Sequence, residues 1–185
     1  MGSQCLDNYS LGNYLTHHLP GVGSAVWSVR VADVYDIESY QPRKGVGHLL
    51  NRVRTEMLAA LDKALEADPE LSKLEISSAQ FIVIAALAIA ESAKSASDLC
   101  KGISYDAGAM TRMLDRLESK GLIRRQRRPD DRRVVYLELT EEGHHAFPRM
   151  RMVSMSVVNR FLRGFSQAEA RQLEDFLTRM LENAA

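Results

Sequence analysis

The 185-residue chain has little cysteine and no long hydrophobic run, and each lack argues against a class of protein. Only Cys5 and Cys100 are present, so no disulfide framework is expected and a reducing compartment is indicated. The longest apolar run, from Ala79 to Ala90, has 12 residues, whereas a helix needs about 20 to span a bilayer. The sequence therefore predicts a cytoplasmic protein that does not enter the membrane.

The chain also lacks the motifs of common enzyme sites. It has no glycine-rich phosphate loop, no GxSxG elbow and no HExxH pair. Its histidine pairs, His17-His18 and His144-His145, are adjacent, whereas two helical metal ligands usually stand three or four residues apart. We therefore expect a protein that is not an enzyme and that carries neither a cofactor nor a metal.

Net charge is absent as well, because 24 basic residues balance 24 acidic ones. That balance hides a local excess: from Arg112 to Arg133 there are nine basic and four acidic residues. A basic segment on an otherwise acidic body can approach a polyanion in one orientation only. The distribution of charge thus favours a nucleic-acid partner that the net charge alone would not suggest.

The chain before about Tyr40 shows no sustained helical period, and we interpret it as an annex of unclear role. From Val46 onward, apolar residues recur at three- and four-residue steps, which predicts one long amphipathic helix. The apolar run that follows predicts a buried helix capped at Ser77 or Ser78. A short helix from about Ser95 to Lys101 comes next.

A helix is then predicted from about Tyr105 to Ser119, where Gly121 stops it. One face is apolar, with Met110, Met113, Leu114 and Leu117, and the other carries Thr111, Arg112, Asp115 and Arg116. The period then shifts toward two across LIRRQRR, the turn PDDRR and VVYLELT, which predicts a small antiparallel hairpin.

Two more helices complete the chain. The first is predicted from a Thr140 cap to about Arg163, with Pro148 kinking it or marking a break in its first turns. The second follows the capping box formed by Ser166 and Glu169 and has a narrow apolar face. The terminal helices thus flank a central unit of three helices and a hairpin.

That central order is typical of a winged helix-turn-helix, whose second helix lies in the major groove of DNA. The hydroxyl of Thr111 and the guanidiniums of Arg112 and Arg116 can donate to guanine edges or phosphates. The hairpin turn places Arg132 and Arg133 where an arginine can enter a narrow minor groove. The predicted fold is mainly α-helical with a small β-hairpin wing: a winged helix-turn-helix flanked by further helices.

The sequence resembles the MarR family of bacterial transcription regulators from about Val46 to Ala184. The segments that carry the resemblance are ISSAQFIVIAAL, DAGAMTRMLDRLESKGLIRR and PDDRRVVYLELTEEG. The resemblance implies an obligate homodimer with intertwined terminal helices that binds a pseudo-palindromic operator. We therefore expect an annex over residues 1–40, a helical dimerisation region over 41–75 and 141–185, and a DNA-binding domain over 76–140.

The resemblance also implies roles for individual residues. Thr111 and Arg112 match recognition-helix contacts, and Arg132 matches the wing arginine that enters the minor groove. Asp131 and Arg133 match a pair that holds the wing. The predicted DNA-contacting residues are Tyr105, Thr111, Arg112, Arg116, Arg132 and Arg133. The flanking Arg124, Arg125, Arg127 and Arg128 either touch phosphate or are simply solvated.

The resemblance implies that the protein is a repressor and that a small aromatic anion releases it from DNA. A ligand pocket between the dimerisation helices and the DNA-binding lobe would use cations and rings, for which Trp27, His48 and Arg52 are the candidates. Two alternatives stay open: a ligand-blind architectural DNA-binding protein, and a regulator that responds to redox state or metal through its cysteines or histidines. For Cys100 we expect inert packing.

Overall fold

The computed structural model describes residues 34–90, 94–103, 106–127 and 134–184, and the chain divides into two units, Met1–Pro42 and Arg43–Ala185. In the first unit the Asp36 carboxylate accepts hydrogen bonds from the backbone N–H groups of Glu38 and Ser39, closing a turn. Most of the predicted annex, including Cys5, the first histidine pair and Trp27, lies outside the described residues.

The second unit is mainly helical, as predicted. Its helices are α1 (Val46–Ala67), a 3-10 helix (Leu71–Leu74), α2 (Ser78–Ala88), α3 (Ala96–Ile103), α4 (Ala107–Ser119), α5 (Glu141–Phe161) and α6 (Gln167–Glu182). Across the described ranges, no helix combines the length and the apolar content that a bilayer crossing requires.

A three-stranded antiparallel sheet accompanies the helices, with strands β1 (Lys94–Ser95), β2 (Ile123–Arg127) and β3 (Val135–Leu139) in the order β1-β3-β2. In the hairpin, Ile123 lies opposite Leu139 and Arg127 opposite Val135, so the predicted strand pair is confirmed. The sequence did not predict β1. A strand of two residues is too short to show the alternation of apolar and polar side chains that predicts a strand. It forms because it pairs with the other edge of β3.

Side-chain caps begin the helices where the sequence predicted them. The Ser77 hydroxyl accepts from the backbone N–H of Gln80 while the Gln80 side chain accepts from that of Ser77. Ser166 and Glu169 form the same box at α6. At α5 the Thr140 hydroxyl accepts from the backbone N–H of Gly143. These bonds satisfy N–H groups that a helix start leaves without partners.

Pro148 lies inside α5, which runs without interruption on both sides of it, so the predicted break is absent. A proline here removes the hydrogen bond to the carbonyl of His144. Both residues are exposed, so water can bind that carbonyl.

The core lies where α1, α2, α4, α5 and the sheet meet. Its least exposed large side chains are Leu65, Val83, Ile84, Met110, Leu114, Leu117, Leu122 and Met150. Full burial of one such side chain contributes about 1.5–3 kcal/mol. Because three of these residues belong to α4, packing fixes which face of that helix points outward.

The helix α6 and the first half of α1 do not contribute to this core. The helix α6 has no buried residue, although it carries Leu173, Phe176, Met180 and Leu181 on one side. In the first half of α1, Val46, Leu49 and Val53 are also exposed. These apolar side chains lack cover within the described chain.

Candidate nucleic-acid interface

The helix α4 is the element that the sequence predicts to enter DNA. Its N-cap is Asp106, whose carboxylate accepts from the backbone N–H of Ala109 at 2.9 Å. Shortly after its end, Gly121 has φ +70°, the left-handed conformation that glycine adopts without steric cost. Tyr105, directly before the cap, lies outside the described residues.

The exposed face of α4 carries Thr111, Arg112 and Arg116. Within the described ranges, neither guanidinium has a hydrogen-bond acceptor or an acidic partner, so both can bind phosphate or a base edge. Thr111 differs from the expectation. Its hydroxyl donates to the carbonyl of Ala107 at 2.8 Å, so the outward side offers a methyl group and an acceptor oxygen.

Acidic residues of α4 are bound by a strand arginine. The Arg125 guanidinium on β2 donates to the Asp115 carboxylate at 2.7 Å and also to that of Glu118. The hydrogen bond with Asp115 raises the pKa of Arg125, an effect that partial burial opposes and the charge of Glu118 reinforces. These bonds join β2 to α4, a role that the sequence did not assign to Arg125.

The other strand arginines divide into two kinds. Arg124 donates to Glu138 on β3 at 3.0 Å, forming a cross-strand pair on an exposed face. Arg127 is exposed and has no ion-pair partner in the part of the chain that the structure describes. Arg128 lies beyond that part. Position in the sheet thus separates residues that look equivalent in sequence.

The turn of the hairpin connects Arg127 to Val135, which face each other across the strand pair. Its residues Asp131, Arg132 and Arg133 lie outside the described residues, so their predicted wing roles stay predictions.

Lys120, at the C-cap of α4, links that helix to the junction between α1 and α2. Its ammonium group donates to the carbonyls of Leu74 at 2.6 Å and Glu75 at 2.8 Å. Glu75 has φ +48°, so the chain there turns sharply and presents both carbonyls to one donor. A basic residue at a helix C-terminus is a weak sequence signal, and the sequence did not predict this contact.

Thr140 and Gly143 contact the turn that follows α4, at Gly121 and Leu122. The Thr140 hydroxyl donates to the carbonyl of Gly121 at 2.6 Å. A Cβ atom on Gly143 would lie 2.2 Å from the Leu122 carbonyl oxygen, a distance that no side chain tolerates. Thr140 and Gly143 therefore pack the start of α5 directly against the chain that follows α4.

A cleft of about 750 Å³ lies between the 3-10 helix and α5. Its lining residues include Asp68, Leu71, Leu74, His145, Arg149 and Met152. Asp68 accepts from the Arg149 guanidinium at 2.7 Å, and that bond is the main cause of the lowered pKa of Asp68. Burial opposes the effect, and backbone N–H groups of residues 70 and 71 reinforce it.

The two predicted ligand residues that the structure describes, His48 and Arg52, do not line this cleft. His48 and Arg52 are exposed on the first half of α1, and Trp27 lies outside the described residues. Cys100 is a free thiol, half-buried on α3. In the described ranges, no three histidine, cysteine or acidic side chains cluster as metal ligands would.

Comparison with known proteins gives one consistent result. The profile of the MarR family matches residues 76–135. An uncharacterised HTH-type transcriptional regulator of Bacillus subtilis, YdgJ, is 37% identical over 89 residues, which are 48% of this chain and 54% of YdgJ. The chain thus matches about half the length of that relative.

Solved structures extend the likeness. A mutant of Escherichia coli MarR, crystallised in complex with operator DNA, has a TM-score of 0.63 and 30% identity, and the match covers 73% of this chain and 92% of that one. BpsR of Bordetella bronchiseptica, whose DNA binding is regulated by 6-hydroxynicotinic acid, has a TM-score of 0.65 and 26% identity, with coverage of 76% and 96%.

Proposed function

The chain belongs to the MarR family of transcriptional regulators, and we propose from this that it binds a pseudo-palindromic operator in double-stranded DNA as a homodimer. The observation that carries the proposal is the exposed face of α4, where Arg112 and Arg116 have no partner among the described residues. Helix packing, Lys120 and Arg125 hold α4 from separate sides, which suits a helix that must enter a groove in one orientation.

The homodimer is supported by the terminal helices. A second copy would cover the apolar side of α6 and the exposed residues of α1, which nothing covers in the described part of one chain. Two-fold symmetry would then present two α4 helices to half-sites about one helical turn apart.

For regulation, we propose a cytoplasmic, non-enzymatic repressor that a small aromatic anion releases from DNA. The regulation of BpsR by 6-hydroxynicotinic acid supports this class of effector. The cleft between the 3-10 helix and α5 has a volume typical of small-molecule sites. Leu74 lines that cleft while its carbonyl binds Lys120, so a ligand there would act on α4 through a direct contact. Trp27, His48 and Arg52 remain the alternative ligand residues.

The proposal is tested with DNA that flanks the gene of this protein. Arg112→Ala and Arg132→Ala should each weaken binding by about 1–3 kcal/mol, or roughly 5- to 150-fold, without lowering the melting temperature. Arg171→Ala, on α6, is the control that removes a guanidinium elsewhere. Normal binding by both variants would discard the DNA-binding assignment.

A footprint in the same experiment separates the alternatives. A regulator protects a discrete palindrome, whereas an architectural protein covers DNA without a boundary. Release on thiol oxidation or on metal addition, with no response to aromatic acids, would favour a redox- or metal-responsive regulator instead.

A further inference from the structure

The outward face of α4 is not purely basic. Asp115 lies three residues after Arg112 and four after Thr111, so helical geometry places these residues on one side. The Asp115 side chain is 57% exposed, and Glu118, which begins the next turn, is 39% exposed. Two carboxylates beside a groove-entering face would repel the phosphates of DNA if nothing neutralised them.

Arg125 reaches both carboxylates from the neighbouring strand. Its two terminal nitrogens bind different acids, Asp115 at 2.7 Å and Glu118 in a second contact. In addition, the backbone N–H of Arg125 donates to the Glu118 carboxylate at 3.3 Å. The Arg125 side chain is 32% exposed, against 58% for Arg124. Arg125 is therefore held between helix and strand by three bonds.

We propose that Arg125 is a positioning residue that neutralises Asp115 and Glu118 beside the DNA-contacting face and fixes β2 against α4, rather than a residue that binds phosphate itself. The inference rests on the proposed DNA binding. A planar guanidinium suits this role because its donors form a rigid fork that can serve two carboxylates. Because its donors bind these carboxylates, Arg125 is also not available to bind the phosphates of DNA irrespective of sequence.

The test is a double-mutant cycle in the full chain, with the operator duplex as probe. Arg125→Gln should weaken binding about tenfold in the natural background, because it uncovers both acids. In a background of Asp115→Asn with Glu118→Gln, the same substitution should change affinity less than about twofold. The coupling between the sites is the quantity that the cycle isolates.

A direct phosphate contact gives a different result. Arg125→Gln would then cost the same in both backgrounds and lower the slope of log K against log salt by about 0.9 in each. Equal losses, or no loss in either background, would overturn the proposal. Arg124→Gln is the matched control, since Arg124 pairs with Glu138 and should have the same effect in both backgrounds.

Two further measurements keep the outcome clear. If Arg125→Gln does not fold, Arg125→Lys is used in the same cycle, because lysine keeps the positive charge but lacks the forked donors of a guanidinium. A severalfold loss of DNA affinity is then expected only in the natural background. Arg112→Ala in the neutral background reports on DNA binding separately. If it loses affinity while the cycle shows no coupling, the role of Arg125 fails and the proposed function stands.

Discussion

The helices α4 and α6 are both amphipathic, yet of the two only α4 buries its apolar side against other described residues. Leu114 on α4 is 1% exposed, whereas Phe176 on α6 is 46% exposed. Among the described residues, the apolar sides of α2 and α4 are thus covered within one copy of the chain, while those of α6 and the first half of α1 are not. The contrast separates the part of the molecule that we propose presents a surface to DNA from the part that we propose pairs with a second copy.

The largest expected effect comes from breaking that second part. Phe176→Glu with Met180→Glu would place two charges on the apolar side of α6, and the proposed dimer should dissociate. Each half-site would then be bound separately, with a loss of operator affinity of roughly 100-fold or more. Light scattering and DNA titration measure the two effects.

The control puts the same charges on the other side of α6. Ala168→Glu with Arg171→Glu should leave the dimer and its affinity intact, since both residues are exposed and neither stands three or four residues from the apolar side chains of α6. A dimer that survives the first pair of substitutions would contradict the assignment of α6 to the interface.

A smaller effect is expected from damage within one copy of the chain. Gly143→Ala introduces a Cβ atom 2.2 Å from the Leu122 carbonyl oxygen, so backbone must shift where α5 meets the chain leaving α4. Overpacking of this kind costs about 1–3 kcal/mol, occasionally more. Denaturant unfolding measures it. At Gly102 no atom of the described residues lies within 4 Å of the added Cβ, so Gly102→Ala should show no such loss. Equal destabilisation of both variants would contradict the close approach.

The smallest effect concerns the bond between Asp68 and Arg149, which joins the end of α1 to α5. Because Arg149 lowers the pKa of Asp68, the ionised carboxylate stabilises the fold. That stabilisation is present above the unfolded pKa of aspartate, near 3.9, and is lost as pH falls through the lower folded pKa.

Asp68→Asn should therefore lower the melting temperature slightly at pH 7, and the difference from the natural chain should shrink below about pH 4. Thermal unfolding across pH measures it, with Asp175→Asn on exposed α6 as the control. A difference that stays constant down to about pH 2 would show that the carboxylate charge is not the cause.

Local patterns carried the parts of the fold that neighbouring residues decide. The capping boxes at Ser77 and Ser166, the apolar stripe of α4 and the alternation of the hairpin each depend on residues within one or two turns, so the sequence displays them directly. The resemblance of the central segment to the MarR family added the prediction that the exposed face of α4 contacts DNA.

Contacts between distant residues were not predictable in this way. Lys120 binds the carbonyl of Leu74, 46 positions away, and the Asp62 carboxylate accepts from the backbone N–H of Ser78 at 2.6 Å. No local period marks such pairs, because each exists only when two elements have already packed.

Sequence by itself determined that this chain has a helix with one apolar and one basic side, followed by a hairpin, because periodicity and charge are properties of the chain. Only tertiary structure decided which arginines remain available: Arg112 and Arg116 point outward, while Arg125 is engaged by Asp115 and Glu118. The physical reason is that a guanidinium bonds to whatever carboxylate packing brings within about 3 Å, and packing depends on the whole fold.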